Sequence, residues 1–159
     1  MQVILHNIRS LHNVGSIFRT ADGAGIQKIY LTGYTPLPVD ELGRPRREFT
    51  KVSLNAEKNV SWEHLRSLPV LLRRLQKNGY NIWAVEQSPK SVSLKKVTVS
   101  GDKLTKVVLL MGNEVRGSSP AILEHADRII EIPMFGKKES LNVSVAFGVV
   151  AYFLKLQDK

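Results

Sequence analysis

Cysteine is absent from this chain of 159 residues. Its absence excludes disulfide bonds, thiolate zinc sites, iron–sulfur clusters and cysteine nucleophiles. The chain also has no apolar run of about eighteen residues, the length that a transmembrane helix needs. The N-terminal segment MQVILHNIRS lacks a basic region followed by a long apolar stretch, so we expect a first strand there and no signal peptide. These features predict a cytoplasmic protein without a membrane association.

Motifs for metals, hydrolysis and dinucleotides are missing as well. The four histidines have no metal-ligand spacing, and no nucleophile is placed with a histidine and a carboxylate as in a hydrolase. The glycines match neither a phosphate-binding P-loop nor the dinucleotide pattern GxGxxG. We therefore expect no bound metal, and a nucleotide-dependent oxidoreductase is disfavoured.

Positive charge is the main feature of the composition. The formal net charge is +9 and the sequence pI is about 9.9. A basic surface attracts phosphate backbones regardless of their sequence, although a solvated basic surface that aids solubility is an alternative. A cluster of basic residues interrupts the middle of the chain and is equally compatible with phosphate contacts and with a solvated loop: Arg44, Arg46, Arg47 and Lys51.

Short apolar runs alternate with helical patterns along the chain. This alternation predicts an α/β fold with a mainly parallel sheet flanked by helices, in one domain spanning 1–159. Ligands of such sheets bind at the carboxyl ends of the strands. The predicted strands are 2–6, 28–31, 81–86, 107–111 and 128–132, and the predicted helices are 13–24, 68–78, a short one opening at Ser119-Pro120, and 141–156.

Two segments depart from simple alternation. Residues 32–62 contain three prolines and little periodicity, so we expect a long surface excursion that is either functional or disordered. The predicted helix 141–156 is apolar almost all round and should be buried on several sides.

Polar segments follow three of the predicted strands. In the first, Asn13 opens a helix and Arg19 lies in its second turn, while Gly15 leaves room near a helix start that favours anions. A cap at Asn13 and a surface charge at Arg19 are the plain alternative. In the second, Gly112 and Gly117 bracket Glu114 and Arg116, a pattern that suits either a ligand or a solvated turn. In the third, Ser140 and Asn142 precede the apolar helix, which Ser140 alone would suffice to cap.

Together and in this order, the three segments resemble the motifs of the SpoU (TrmH-like) family of SPOUT RNA methyltransferases. NVGSIFRTADGAG (13–25) is similar to motif one, LLMGNEVRG (109–117) to motif two, and IPMFGKKESLNVSVAFG (132–148) to motif three. The resemblance implies a deep C-terminal trefoil knot and a homodimer. It also implies methyl transfer from S-adenosylmethionine to a ribose 2′-hydroxyl of tRNA or rRNA. Members of this family often carry an extra RNA-binding domain at one end, whereas we expect no separate RNA-binding domain in this chain.

The resemblance also implies roles for particular residues. Asn13 and Arg19 become catalytic candidates, with Arg19 as an electrostatic stabiliser because a guanidinium stays protonated. The expected cofactor residues are Glu86, Gly112, Glu114, Ile132, Met134, Ser140, Leu141 and Asn142. The basic residues expected to contact RNA, which the resemblance constrains less in the central region, are Arg9, Arg44, Arg46, Arg47, Lys51 and Arg116. Two alternatives stay open, an RNA-binding module without activity and a SPOUT enzyme that methylates a base.

Overall fold

A computed structural model describes residues 1–99 and 101–157, the side chains of 101–103 aside. In this part of the chain seven strands form one sheet in the order β3-β2-β1-β6-β4-β7-β5, and each neighbouring pair is parallel. The strands are β1 (Gln2–His6), β2 (Lys28–Thr32), β3 (Ser61–Leu65), β4 (Asn81–Val85), β5 (Val92–Ser93), β6 (Val107–Met111) and β7 (Arg128–Glu131).

Helices cover both faces of the sheet. Alternate strand residues serve separate cores: Val3 and Leu5 pack with the helices of one face, and Ile4 between them packs with those of the other. The central strand β6 is buried along its whole length, as its continuous apolar run predicts. The predicted fold class is therefore confirmed, whereas the trefoil knot stays a prediction. The helices are α1 (Leu11–Gly23), α2 (Arg47–Ser53), α3 (Leu68–Lys77), α4 (Pro120–Leu123) and α5 (Val143–Lys155).

Helix α1 shows how local sequence builds the site. Its apolar residues recur at helical spacing and are buried against the sheet. The Ser10 hydroxyl accepts a hydrogen bond from the backbone N–H of Asn13 at 3.2 Å and caps the helix start. After its last turn, Gly25 has a φ of +62°, the left-handed conformation expected of a glycine there.

The prediction of a surface excursion over 32–62 is wrong for much of its length. Helix α2 lies inside it, and its Phe49 is fully buried with its ring 5.2 Å from that of Phe18. A 3₁₀ turn over Ala56–Lys58 and strand β3 follow. The pattern was too sparse to detect, because α2 buries only Phe49 and Ser53 among its seven residues.

Helix α5 is not buried on several sides within one chain. Val143, Phe147 and Val150 are among its buried residues, but Val145 and Val149 of the opposite face are 50% and 41% exposed. Helix α5 thus has more apolar side chains than the single chain can bury.

Neither Ser119 nor Ser140 caps the helix that follows it. Ser119 precedes α4 without a capping side-chain bond, and Asn142, rather than Ser140, caps α5 by accepting from the Ser144 N–H at 2.9 Å. Among the described residues, no helix combines the length and the apolar character required to cross a bilayer.

Candidate cofactor and substrate site

A cavity of about 370 Å³ opens at the carboxyl ends of β4, β6 and β7. This size is in the range of small-molecule pockets, and its position is that expected of a ligand site on a parallel sheet. The cavity wall includes seven of the predicted cofactor residues, namely Glu86, Gly112, Glu114, Ile132, Met134, Ser140 and Leu141.

The predicted cofactor residue Asn142 lies instead in a hydrogen-bonded chain that joins the three motifs. Glu114 of motif two accepts from the Asn13 side-chain Nδ2 at 3.1 Å. The Asn13 Oδ1 in turn accepts from Asn142 Nδ2 of motif three, also at 3.1 Å. The Ser144 hydroxyl donates to Asn142 Oδ1 at 2.6 Å, which fixes the orientation of that amide. Segments more than a hundred residues apart in sequence therefore meet at one edge of the cavity.

Glu114 supplies the negative charge at the start of α1. Its carboxylate accepts from the backbone N–H of Arg9 at 2.9 Å and from that of Ser10 at 3.1 Å. Burial opposes ionisation, but hydrogen bonds led by the one from Arg9 outweigh it and hold the pKa of Glu114 below its ordinary value of 4.5. The anion favoured by this helix start is thus a side chain of the protein itself.

The room left by Gly15 has a different use from the one expected. A Cβ added at Gly15 would lie 3.1 Å from the Cβ of Val52 and 3.4 Å from the carbonyl oxygen of Phe49. The neighbour that approaches α1 there is helix α2.

The motif-two turn requires its glycines. A Cβ at Gly112 would lie 2.4 Å from the Ser118 hydroxyl and 2.8 Å from the Ser118 nitrogen, closer than real contacts allow. Gly117 has a φ of +63°, and the adjacent Ser118 N–H donates to Glu86 Oε2 at 2.7 Å. Glu86 therefore holds the turn as well as lining the cavity.

Two further residues of the site, Asn113 and Gln87, are not among the predicted ones. Asn113 organises the motif-two turn, since its Oδ1 accepts from the backbone N–H of Val115 and of Arg116. Gln87 lines the cavity and donates to the carbonyl oxygen of Glu139 across it. Asn113 lies inside motif two between the predicted residues Gly112 and Glu114. This position was the one sequence feature that could have marked Asn113 as a site residue.

The predicted RNA contacts fall into two groups. Arg116 lines the cavity, and Arg9 lies in a shallow groove beside Asn13 and Glu114. The four central basic residues are exposed and lie outside both linings. Two of them already have protein partners: the guanidinium of Arg44 pairs with Asp40 at 2.9 Å, and that of Arg46 donates to the Val39 carbonyl oxygen.

Arg19 stands apart from the cavity of its own chain. It is exposed on α1 and does not belong to the cavity wall. Six residues of helix rotate it by about 120° away from the direction of Asn13. In the described part of the chain, no cluster of three or more histidine or acidic side chains is arranged to hold a metal ion.

The fold and this three-motif site define a family, and comparison with known proteins gives the same family. Residues 1–152 match the SpoU rRNA Methylase family. The chain belongs to that family.

Characterised relatives act on two kinds of RNA according to their names. The chain is 34% identical over 150 residues to the tRNA (guanosine(18)-2′-O)-methyltransferase of Aquifex aeolicus, covering 94% of this chain and 66% of that protein. It is also 34% identical to the 23S rRNA (guanosine-2′-O-)-methyltransferase RlmB of Haemophilus influenzae, over 94% of this chain and 57% of the relative. The chain therefore spans somewhat less than two thirds of the length of these relatives.

The fold agrees with a solved structure as well. An rRNA methyltransferase from Sinorhizobium meliloti, solved with AdoMet bound, superposes with a TM-score of 0.83 at 28% identity. The superposition covers 96% of this chain and 54% of the other.

Proposed function

We propose that this chain is an RNA methyltransferase that transfers a methyl group from S-adenosylmethionine to a ribose 2′-hydroxyl. The observation that carries the proposal is the hydrogen-bonded chain from Glu114 through Asn13 to Asn142, which brings the three family motifs to the rim of one cavity. The two relatives from Aquifex aeolicus and Haemophilus influenzae are both named guanosine 2′-O-methyltransferases, and these names support the same chemistry.

The cavity fits S-adenosylmethionine in size and lining. Ile132, Met134 and Leu141 offer apolar surface for a purine, while Glu86 and the Gly112–Gly117 turn offer carboxylate and backbone groups for polar parts. Acidic side chains in the wall also suit the positive sulfonium. When bound, this cofactor supplies a methyl group that is already activated, so the protein's task is alignment.

Asn13 is suited to holding the 2′-hydroxyl. One Nδ2 hydrogen is used on Glu114 and one Oδ1 lone pair on Asn142. An amide has a second hydrogen and a second lone pair, so Asn13 can still offer one donor and one acceptor to a hydroxyl. The hydrogen bonds with Glu114 and Asn142 fix the plane of the Asn13 amide, and with it the direction of the remaining donor and acceptor.

Glu114 is a poor candidate for the general base. Its pKa is lowered by the N–H groups that it accepts from, and those groups occupy much of its hydrogen-bonding capacity. We assign it the positioning of Asn13. The proton passes to a phosphate oxygen or to water, while Arg19 stabilises the developing alkoxide and an adjacent phosphate.

The position of Arg19 favours action between subunits. Because Arg19 is exposed and lies outside the cavity wall of its own chain, we propose a homodimer in which Arg19 reaches the site of the partner subunit. The exposed apolar face of α5 offers the surface for this association. We further propose that residues 1–159 form a single knotted methyltransferase domain that acts on tRNA or rRNA in the cytoplasm.

The proposal is tested by incubating the purified chain with S-adenosylmethionine and total cellular RNA, followed by nucleoside analysis of the product. Ribose-methylated nucleosides are the expected result. A methylated base would identify a base-methylating enzyme instead. If calorimetry finds no binding of S-adenosylmethionine, the chain is an RNA-binding module without methyltransferase activity. Ribose-methylation maps of RNA from cells with and without the gene then give the nucleotide.

The role of Arg19 is tested with two variants. Arg19→Ala should abolish turnover and leave the affinity for S-adenosylmethionine nearly unchanged, since Arg19 is not in the cavity wall. Arg19→Lys keeps the charge but lacks the planar fork. Near-normal turnover of the lysine variant would argue against a bidentate clamp, and equal loss of turnover and cofactor binding in the alanine variant would remove the assignment.

A further inference from the structure

Tyr34 is a large aromatic residue in solvent directly beyond a buried strand. The residues of β2 from Ile29 to Thr32 are buried, whereas Tyr34, two positions later, is 59% exposed. Packing of the core therefore does not explain an aromatic ring at this position.

Tyr34 is held by hydrogen bonds at its backbone and at its hydroxyl group. Its backbone N–H donates to Asn7 Oδ1 at 3.3 Å, and its hydroxyl accepts from Asn113 Nδ2 at 2.9 Å. The next residue, Thr35, is buried and donates its hydroxyl to the Leu5 carbonyl oxygen at 2.9 Å. A ring fixed in this way loses little conformational freedom when a ligand covers it.

The support for Tyr34 includes a residue in an unfavourable conformation. Asn7 has a φ of +57°, which costs free energy for any residue other than glycine, though asparagine tolerates it best. Asn7 uses this conformation to contact His6, Tyr34 and Asn113 at once. Strain of this kind is concentrated at functional sites.

Tyr34 is linked to the cofactor cavity through one residue. Asn113 lines the cavity, donates to both the Tyr34 hydroxyl and the Asn7 carbonyl oxygen, and holds the backbone of Arg116. On the other side, the N–H of Ile8, next to Arg9, donates to the hydroxyl of Thr35. Exposed guanidinium groups thus belong to the segments on either side of the ring.

We propose that Tyr34 is a stacking platform for a nucleobase of the bound RNA, at or beside the nucleotide whose ribose faces Asn13. Aromatic faces stack on unpaired bases of any identity, and neighbouring cations bind the adjoining phosphates. This inference rests on the proposed function for the identity of the RNA, and it adds a base-binding residue that none of the three motifs contains.

The test compares two fluorescein-labelled probes, a single-stranded oligouridylate and an oligomer of the same length made of abasic ribose phosphates. Base–aromatic stacking predicts that Tyr34→Leu binds the oligouridylate between about 5-fold and about 150-fold more weakly than the wild type. Both proteins should bind the abasic oligomer equally, because it has phosphates but no bases. Tyr34→Phe, which keeps the ring, should lose much less affinity than Tyr34→Leu.

Val70 provides the control, because it is half exposed on α3, which packs on the opposite face of the sheet from α1. Val70→Ala should bind both probes like the wild type. Equal binding of the oligouridylate by wild type and Tyr34→Leu would overturn the proposal, as would a parallel loss of affinity for S-adenosylmethionine, which would make Tyr34 a support of the motif-two turn. A wild type that binds these probes with the predicted dependence on Tyr34 but transfers no methyl group would contradict only the proposed function.

Discussion

At the scale of single residues, Gly112 is a position where one added methyl group should destabilise the fold. In Gly112→Ala the new Cβ meets the backbone nitrogen of Ser118 at 2.8 Å and that backbone cannot easily move, because it donates to Glu86. We expect a loss of about 1–3 kcal/mol in the free energy of unfolding from overpacking. S-adenosylmethionine should also bind more weakly, because the turn forms part of the cavity wall.

Gly136 is a matched control in the loop of motif three. A Cβ added there meets nothing within 4 Å. Urea denaturation and calorimetry should therefore find Gly136→Ala close to the wild type in both stability and cofactor affinity. Similar effects of the two substitutions would contradict the steric explanation.

Glu114 should give the chain a characteristic dependence on pH. Because its pKa in the folded chain lies below the ordinary value of 4.5, ionised Glu114 stabilises the fold above about that pH. The contribution is lost as the pH falls through the depressed native value. Glu114→Gln, which removes the charge at the start of α1, should cost about 1 kcal/mol at neutral pH, because a negative charge at a helix N-terminus contributes up to about this much.

Urea denaturation of Glu114→Gln and the wild type at neutral pH and in acid checks this prediction. The difference in free energy of unfolding should shrink as the pH falls from about 4.5 through the lower pKa of Glu114 in the folded chain, because unfolded wild type takes up this proton at a higher pH than folded wild type. A difference that stays constant over the whole range would exclude ionisation as its cause.

Residue identities and their spacing were enough to predict most of the candidate site, but not its supports. Glu114 and Asn142 lie in motifs that can be read from local sequence. Asn7 and Tyr34 do not, because their contacts with Asn113 require β1 to lie between β2 and β6. The order of the strands in the sheet cannot be read from the order of strands and helices along the chain. A residue whose role depends on which strands are neighbours is therefore invisible to sequence reasoning.

At the scale of secondary-structure elements, helix α2 is the clearest departure from expectation, and its importance can be measured. Phe49→Ala removes a fully buried ring that packs edge-on against Phe18 of α1. Such truncations cost about 3–5 kcal/mol, a large part of the stability of a domain. If residues 47–53 were instead part of the surface excursion expected over 32–62, the cost would be small.

Leu42 serves as the comparison for Phe49. It belongs to the loop before α2 and is 76% exposed, so Leu42→Ala should change the free energy of unfolding by no more than about 0.5 kcal/mol. Denaturant titration of both variants separates the structural helix from the exposed loop. Sequence periodicity did not reveal α2 because Phe49 provides most of the buried apolar surface of this helix. A periodic pattern needs several apolar residues at helical spacing.

At the scale of the whole molecule, the outward face of α5 predicts self-association. Val145, Val149 and Tyr152 are 50%, 41% and 45% exposed on a helix whose other face is fully packed. Val145→Glu combined with Val149→Glu would bury two carboxylates of each protomer in a dimer interface, at a cost of several kcal/mol for each charge. Light scattering should therefore find a dimer for the wild type and a monomer for the double variant. Val70→Glu, at a half-exposed position of α3, should remain dimeric.

A mixture of two inactive variants tests whether the active site is shared between subunits. If Asn13 of one protomer works with Arg19 of its partner, an Arg19→Ala chain paired with an Asn13→Ala chain contains one complete site and one site lacking both groups. Random pairing puts half of the protomers in such mixed dimers, so methyl transfer should recover to about a quarter of the wild-type value. Each variant alone should stay inactive. If both residues served the same chain, unfolding and refolding the two variants together would restore nothing, and the assignment of Arg19 to the partner's site would be wrong.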